Sequence, residues 1–133
     1  MRAYISVSFN KRKLLDKELT AIFTTLNEFG IVAFVFVDHY KFELSEERQM
    51  MEQAMNEIDN CDLLIAETSD KGIGIGVEAG YAKAKNKPVI YLRQTDAAHS
   101  TTVSGISDSQ IIYSDSGDLA KQLALILDNL FPH

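Results

Sequence analysis

Glycines at positions 72, 74 and 76 lead into a glutamate, Glu78, within the segment Ala66–Ala82 (AETSDKGIGIGVEAGYA). Without Cβ atoms, such a stretch lets backbone N–H groups approach a ligand closely. A loop that ends at a helix start also attracts anions. Spacing places Glu78 in the first turn of that helix. A carboxylate there either complements the helix dipole or, held ionised by nearby N–H groups, acts as a nucleophile toward a sugar carbon. Pattern alone leaves both readings open. The run Gly74-Ile-Gly76-Val-Glu-Ala79 also fits G-x-G-x-x-G/A. That dinucleotide fingerprint belongs after the first strand of a Rossmann unit, whereas this run follows the third. The plain alternative is a tight turn whose glycines serve helix–strand packing.

Other reactive residue types are few. Tyr4, Ser6 and Ser8 alternate along the N-terminal segment and would face Glu78. Lys11-Arg12-Lys13 follows, either as a phosphate-holding turn or as a solvated helix start. His39 and His133 have no partners at metal-ligand spacing. Cys61 precedes a buried strand and reads as a small core residue. Asp62 reads as a hydrogen-bonding group at the strand entry. His99 reads as an exposed side chain beside Ser100. No metal and no cofactor is expected.

The elements that must position these groups alternate in type. Arg2–Phe9 alternates with period two, with Ala3, Ile5, Val7 and Phe9 on one face, and predicts a strand. Lys11–Phe29 carries apolar residues at helical spacing, with Gly30 as its stop. Val32–Val37 is a continuous apolar run, as in a strand buried on both faces. Asp38–Leu44 reads as a loop. Ser45 reads as the N-cap of a helix ending near Asn60. Leu63–Glu67 predicts a third strand, Thr68–Gly76 a glycine-rich loop and Val77–Asn86 a short helix. Pro88–Arg93 predicts a fourth strand, Gln94–Ser109 a long loop, Ile111–Tyr113 a fifth strand and Asp118–Leu130 a last helix. This alternation predicts one α/β domain over residues 1–133, a flavodoxin-like parallel sheet of order 2-1-3-4-5 between two helix layers. Ligands of such sheets sit at the carboxyl ends of strands 1 and 3, where Ser8–Lys13 meets Thr68–Glu78.

The bulk properties bound the function. With 13 Lys+Arg against 19 Asp+Glu the net charge is −6, which argues against a nucleic-acid polymer as partner. One cysteine excludes an internal disulfide and a cysteine-based zinc site. No apolar run approaches the roughly 20 residues of a membrane span. The chain opens directly on strand-like sequence, which predicts no leader and a cytoplasmic protein.

Cys61-Asp62-Leu-Leu-Ile-Ala66-Glu67, Gly74-Ile-Gly76-Val-Glu78-Ala-Gly80-Tyr-Ala82 and Lys87-Pro88-Val-Ile together resemble the nucleoside 2-deoxyribosyltransferase family. Within it, the likeness is greatest to the 2′-deoxynucleoside 5′-phosphate N-hydrolase branch. Tyr4-Ile-Ser-Val-Ser8 resembles the family's first strand, and Ser100-Thr-Thr-Val-Ser-Gly105 resembles a late segment that reaches into a neighbouring subunit's site. The resemblance implies cleavage of the N-glycosidic bond of a deoxynucleoside or deoxynucleotide, by hydrolysis or base transfer. It makes Glu78 the nucleophile at C1′, aided by Tyr4. It places Ser8, Asn10, Gly72, Gly74 and Gly76 around the substrate, and it implies a homodimer that shares Ser100. The other function compatible with the same residues is non-catalytic nucleotide binding.

The chain also departs from the family pattern. Ala54 stands where the family has a base-contacting acid, with Asp38, Asp59 and Asp70 as nearby substitutes. Asn10 stands where the hydrolase branch has an arginine for the 5′-phosphate, and Gly72 where it has a hydroxyl. Tyr40 or Phe42 would wall a base pocket, and Met50, Met51 and Met55 would pack in the core or over a base.

Overall fold

A computed structural model of the chain describes residues 1–132, so His133 lies outside the described residues. Five parallel strands form one sheet: β1 (Arg2–Ser6), β2 (Val32–Val35), β3 (Leu63–Glu67), β4 (Val89–Gln94) and β5 (Ser109–Tyr113), in the order β2-β1-β3-β4-β5. This is the flavodoxin-like topology that the alternation predicts. The helices are α1 (Asp16–Glu28), α2 (Phe36–His39), α3 (Glu47–Asp59), α4 (Ile73–Ala84), α5 (Thr101–Ile106) and α6 (Ser116–Leu130).

Period-two alternation sorts the strand residues into two cores. Ala3, Ile5, Leu63, Ile65, Ile90, Leu92 and Ile111 pack under Leu19, Ile22 and Leu26 of α1 and Leu119, Leu123 and Leu127 of α6. Tyr4, Leu64, Ala66, Val89 and Tyr91 pack on the opposite face under Ala54 and Ile58 of α3, Ile75, Ala79 and Ala82 of α4 and Val103 of α5. Each fully buried Leu or Ile contributes about 1.5–3 kcal/mol. The alternation thus decides that Tyr4 faces α4 rather than α1.

Helix ends follow capping chemistry. Gly30 takes φ +71° past the end of α1, the left-handed conformation that favours glycine. Asp115 caps α6 by accepting the Asp118 N–H at 2.7 Å. Lys87 Nζ donates to the carbonyls of Ile58, Asp59 and Cys61 at 2.5–2.8 Å, closing the end of α3. Asp62 accepts the Arg2 N–H at the strand entry, at 2.8 Å.

Several boundaries differ from the pattern. β1 ends at Ser6, where its register with β3 stops, and Phe9–Leu15 winds into a 3-10 helix that leaves Phe9 73% exposed instead of inward. β2 ends at Val35, opposite Ile5, and Phe36–His39 forms one helical turn. An apolar run does not by itself distinguish strand from helix once the ladder partner ends. Leu44–Glu46 is a 3-10 turn, capped by Glu43 rather than Ser45. The long loop 94–109 contains α5, and α4 starts four residues before Val77. Intrinsic propensity disfavours glycine in helices, so the helical start at Ile73 left no signal in its own composition.

Candidate active site

β1 delivers Tyr4 and Ser6 to the face covered by α4, and α4 brings Glu78 down onto them. Glu78 is the sixth residue of the helix, in its second turn and not its first. Its carboxylate is held by side-chain hydroxyls rather than by the N–H groups that the loop reading expected. Ser6 Oγ donates to Oε1 at 2.7 Å, and the Tyr4 hydroxyl donates to Oε2.

Burial pushes the Glu78 carboxyl above the usual carboxylate range, and the hydrogen bonds from Tyr4 and then Ser6 oppose that shift. Burial first, then the adjacent Glu78, pushes the Tyr4 phenol upward, so Tyr4 stays a proton donor. The expectation of a carboxylate held ionised by backbone is therefore corrected. This one is partly buried, with a raised pKa restrained by two hydroxyls.

Glu78 lines a cavity of about 690 Å³. Ser8, Asn10, Gly72 and Gly74 line the same cavity, so strands 1 and 3 do bring their following segments together. Ser8 Oγ donates to Asp70 Oδ2 at 2.6 Å across that junction. The apolar part of the lining includes Phe36, Tyr40, Phe42, Met50, Met51 and Ala54. Tyr40 and Phe42 thus line the cavity that holds Glu78. Ala54 is 1% exposed and presents only a methyl group to this wall.

The three substitute aspartates all have other partners. Asp38 takes the Arg12 guanidinium through two bonds of 2.8 Å, Asp59 takes the Tyr81 hydroxyl at 2.8 Å, and Asp70 takes Ser8. Arg12 also pairs with Asp16 at 2.7 Å, which commits the middle of the basic turn to carboxylates.

Gly76 and Ser100 do not line the Glu78 cavity. They line a second cavity, of about 660 Å³, beyond the start of α4, and Gly72 is common to both cavities. The Ser100 N–H donates to the Tyr91 hydroxyl at 3.0 Å, and Arg93 Nη1 binds the carbonyls of Gln94, Thr95 and Ala97. His99 is exposed and meets the Tyr91 hydroxyl through Nδ1 at 3.1 Å. A Cβ added at Gly74, Gly76 or Gly80 would meet no atom within 4 Å. Close helix–strand packing therefore does not demand these glycines. Among the described residues no group of three His, Cys, Asp or Glu is placed to hold a metal, and no helix is long and apolar enough to cross a membrane.

Sequence reading placed Ser6 on the correct face without a role; period two was the signal. It missed Glu67, buried at the end of β3. Glu67 accepts the Tyr113 hydroxyl at 2.5 Å and the Ser69 N–H at 2.6 Å, tying the loop before α4 to β5. Burial raises Glu67, and the Tyr113 and Ser69 bonds oppose the rise. Tyr113→Phe strips one oxygen of this buried carboxylate of its donor and is expected to cost about 1–3 kcal/mol, read from urea unfolding midpoints. Both Glu67 and Glu78 are raised on folding, so the unfolded chain releases their protons first. Their contribution to stability is full below the ordinary carboxylate range and is lost as pH rises through the raised values.

The model of a family described as nucleoside 2-deoxyribosyltransferase matches residues 6–121. The chain belongs to the nucleoside 2-deoxyribosyltransferase family. The match spans Ser6, Glu78 and the Ser100 segment, while Tyr4 precedes it. Members of the nucleoside 2-deoxyribosyltransferase family act on the N-glycosidic bond of nucleosides.

Solved structures show the same fold. A CMP N-glycosidase from Clostridium botulinum superposes with a TM-score of 0.68 at 21% identity, covering 94% of this chain and 99% of that one. A 2-deoxyribosyltransferase from Bacillus psychrosaccharolyticus gives 0.69 at 16% identity, with 90% of each chain covered. A conserved protein from Enterococcus faecalis gives 0.71 at 16%, covering 96% and 99%. No single curated protein matches the sequence significantly.

Proposed function

We propose that this chain cleaves the N-glycosidic bond of a 2′-deoxynucleoside or its 5′-monophosphate through a covalent deoxyribosyl ester on Glu78. The observation that carries the reading is the Glu78 carboxylate, held by Tyr4 and Ser6 in the wall of an otherwise largely apolar cavity. One Glu78 oxygen attacks C1′ as the C1′–N bond breaks, and the bonding pair leaves with the base. Water or a second base then attacks C1′ and frees the carboxylate. Tyr4 and Ser6 aim the carboxylate, and the nucleophile acts only when ionised. Both a transferase and an N-glycosidase share the fold, which supports either acceptor.

Ser8, Asn10 and the start of α4 at Gly72–Gly74 form the polar end of the cavity and suit the sugar's 5′ side, as the hydrolase branch would require. We further propose a homodimer in which one copy's Ser100 completes the other's site. Two facts support it: Ser100 does not line its own chain's Glu78 cavity, and the apolar Ile73, which lines the same second cavity as Ser100, is 90% exposed.

Base release from deoxynucleosides and their monophosphates, followed by chromatography with and without an added second base, tests the reaction and its acceptor. Failure of Glu78→Ala to slow that release removes the nucleophile. Binding without turnover favours a nucleotide sensor. Light scattering should give a dimer, and a fully active monomer removes the shared Ser100.

A further inference from the structure

The apolar wall of the Glu78 cavity is built from rings in mutual contact. Phe36 and Tyr40 have centroids 4.9 Å apart, Tyr40 and Phe42 are stacked at 5.9 Å, and Phe36 and Phe42 at 6.2 Å. Two carboxylates line the cavity, Glu78 and the exposed Glu43, against one exposed ammonium, Lys41. Glu43 is occupied as an acceptor: its side chain takes the Glu46 N–H while Glu46 Oε1 takes the Glu43 N–H at 2.9 Å. The Ser8 hydroxyl is spent on Asp70, and the remaining hydroxyl on the wall is Tyr40, which accepts from Gln53 Nε2 at 2.9 Å. A phenol is a far weaker acid than a carboxylic acid. The cavity therefore offers aromatic rings and negative charge to a base, and its one carboxyl group besides Glu78, that of Glu43, is engaged by the turn at Leu44–Glu46.

A neutral purine departs as an anion unless it is protonated. A purine alkylated at N7 carries a positive charge while bound to the sugar and departs neutral. Aromatic faces within about 6 Å attract such a cation, more strongly when it is desolvated.

From this geometry we infer that the cavity selects deoxynucleosides or deoxynucleotides whose base is already cationic, N7-alkylated purines being the class. The inference rests on the Glu78 reading. A Glu78 oxygen forms a bond to C1′, the C1′–N9 bond breaks, and its electron pair neutralises the imidazolium ring, so the base leaves with no proton supplied. Water then attacks C1′, a proton passes to solvent, and the carboxylate is restored.

The test pairs binding with turnover, using 2′-deoxyguanosine and its 5′-monophosphate with and without an N7-methyl group. Binding is measured by calorimetry on Glu78→Gln, which removes turnover from the comparison and leaves Glu43 and the aromatic rings to carry the preference. Methylated ligands should bind at least tenfold tighter, and Phe42→Leu or Glu43→Gln in the same background should shrink that preference to about threefold or less. With the unaltered protein, and after subtraction of spontaneous depurination, kcat/KM should favour the methylated substrate by at least a hundredfold. Equal binding of both forms overturns the inference. So does faster, Glu78-dependent release from the unmethylated substrate, which leaves the nucleophile standing. Tight methyl-selective binding with no release from any substrate instead removes the catalytic reading and keeps the cation-selective pocket.

Discussion

Replacing Glu78 with alanine is expected to lower base release by about a thousandfold or more, a loss of at least about 4 kcal/mol of transition-state stabilisation. The size follows from the role: without the carboxylate no covalent intermediate forms, and water must attack C1′ unaided. The fold should tolerate the change, because the side chain lines a cavity and the two hydroxyls it releases, on Tyr4 and Ser6, gain access to water there. Circular dichroism and the unfolding midpoint separate loss of fold from loss of chemistry. Added formate or azide, small enough to stand where the carboxylate stood, should restore part of the rate. A carboxylate that only steadied the helix would gain nothing from either anion, and unchanged kcat/KM in the variant would remove Glu78 from the mechanism.

Tyr4→Phe should cost about 100-fold in kcat/KM, the lower end of the loss seen when one hydrogen-bond donor to a reacting oxygen is removed. Its sharper readout is the pH profile. Burial raises Glu78, and Tyr4 is the largest influence lowering it. With the hydroxyl gone, burial is opposed by Ser6 alone, so the ionised fraction falls at any given pH. The acid limb of kcat/KM should therefore move to higher pH, with part of the lost rate recovered above it. Ser6→Ala should move the limb in the same direction by less. A limb that stays in place in Tyr4→Phe would show that the phenol does not set the ionisation of Glu78. The substitution keeps the ring and its contacts with Phe34 and Phe36, and Glu78, unlike buried Glu67, lines a cavity where water can replace the lost donor, so a smaller loss of stability is expected than in Tyr113→Phe.

The sheet was legible because its signals are local. Alternation at Tyr4, Ile5 and Ser6 assigns faces without knowledge of partners, and the continuous run Leu63–Ala66 marks a strand covered on both sides. What escaped depends on neighbours. Phe36 and Val37 continue an apolar run, yet turn helical where the β1–β2 ladder stops at Ile5 opposite Val35. Glu78 was singled out by its glycines, but its environment was not, because the donors come from residues 72 and 74 positions away in the chain. Glu67 and Tyr113 could not be paired from sequence for the same reason, being 46 positions apart. The aromatic wall is a middle case: Tyr40 and Phe42 were marked by position, whereas Glu43 became visible only once the turn it caps was in place.

The three glycines within α4 have a consequence for how firmly that helix is held. Each costs about 1 kcal/mol relative to alanine in a helix interior, and no side-chain cap supports the helix start at Gly72. As an isolated peptide this segment would be among the poorest helix formers in the chain. It stays wound because Ile75, Ala79 and Ala82 are pinned to the sheet beneath. The proposed nucleophile thus rides on an element whose order is borrowed from the core, and the first turn of α4 should open and close at a lower free energy than the strands that carry Tyr4 and Ser6.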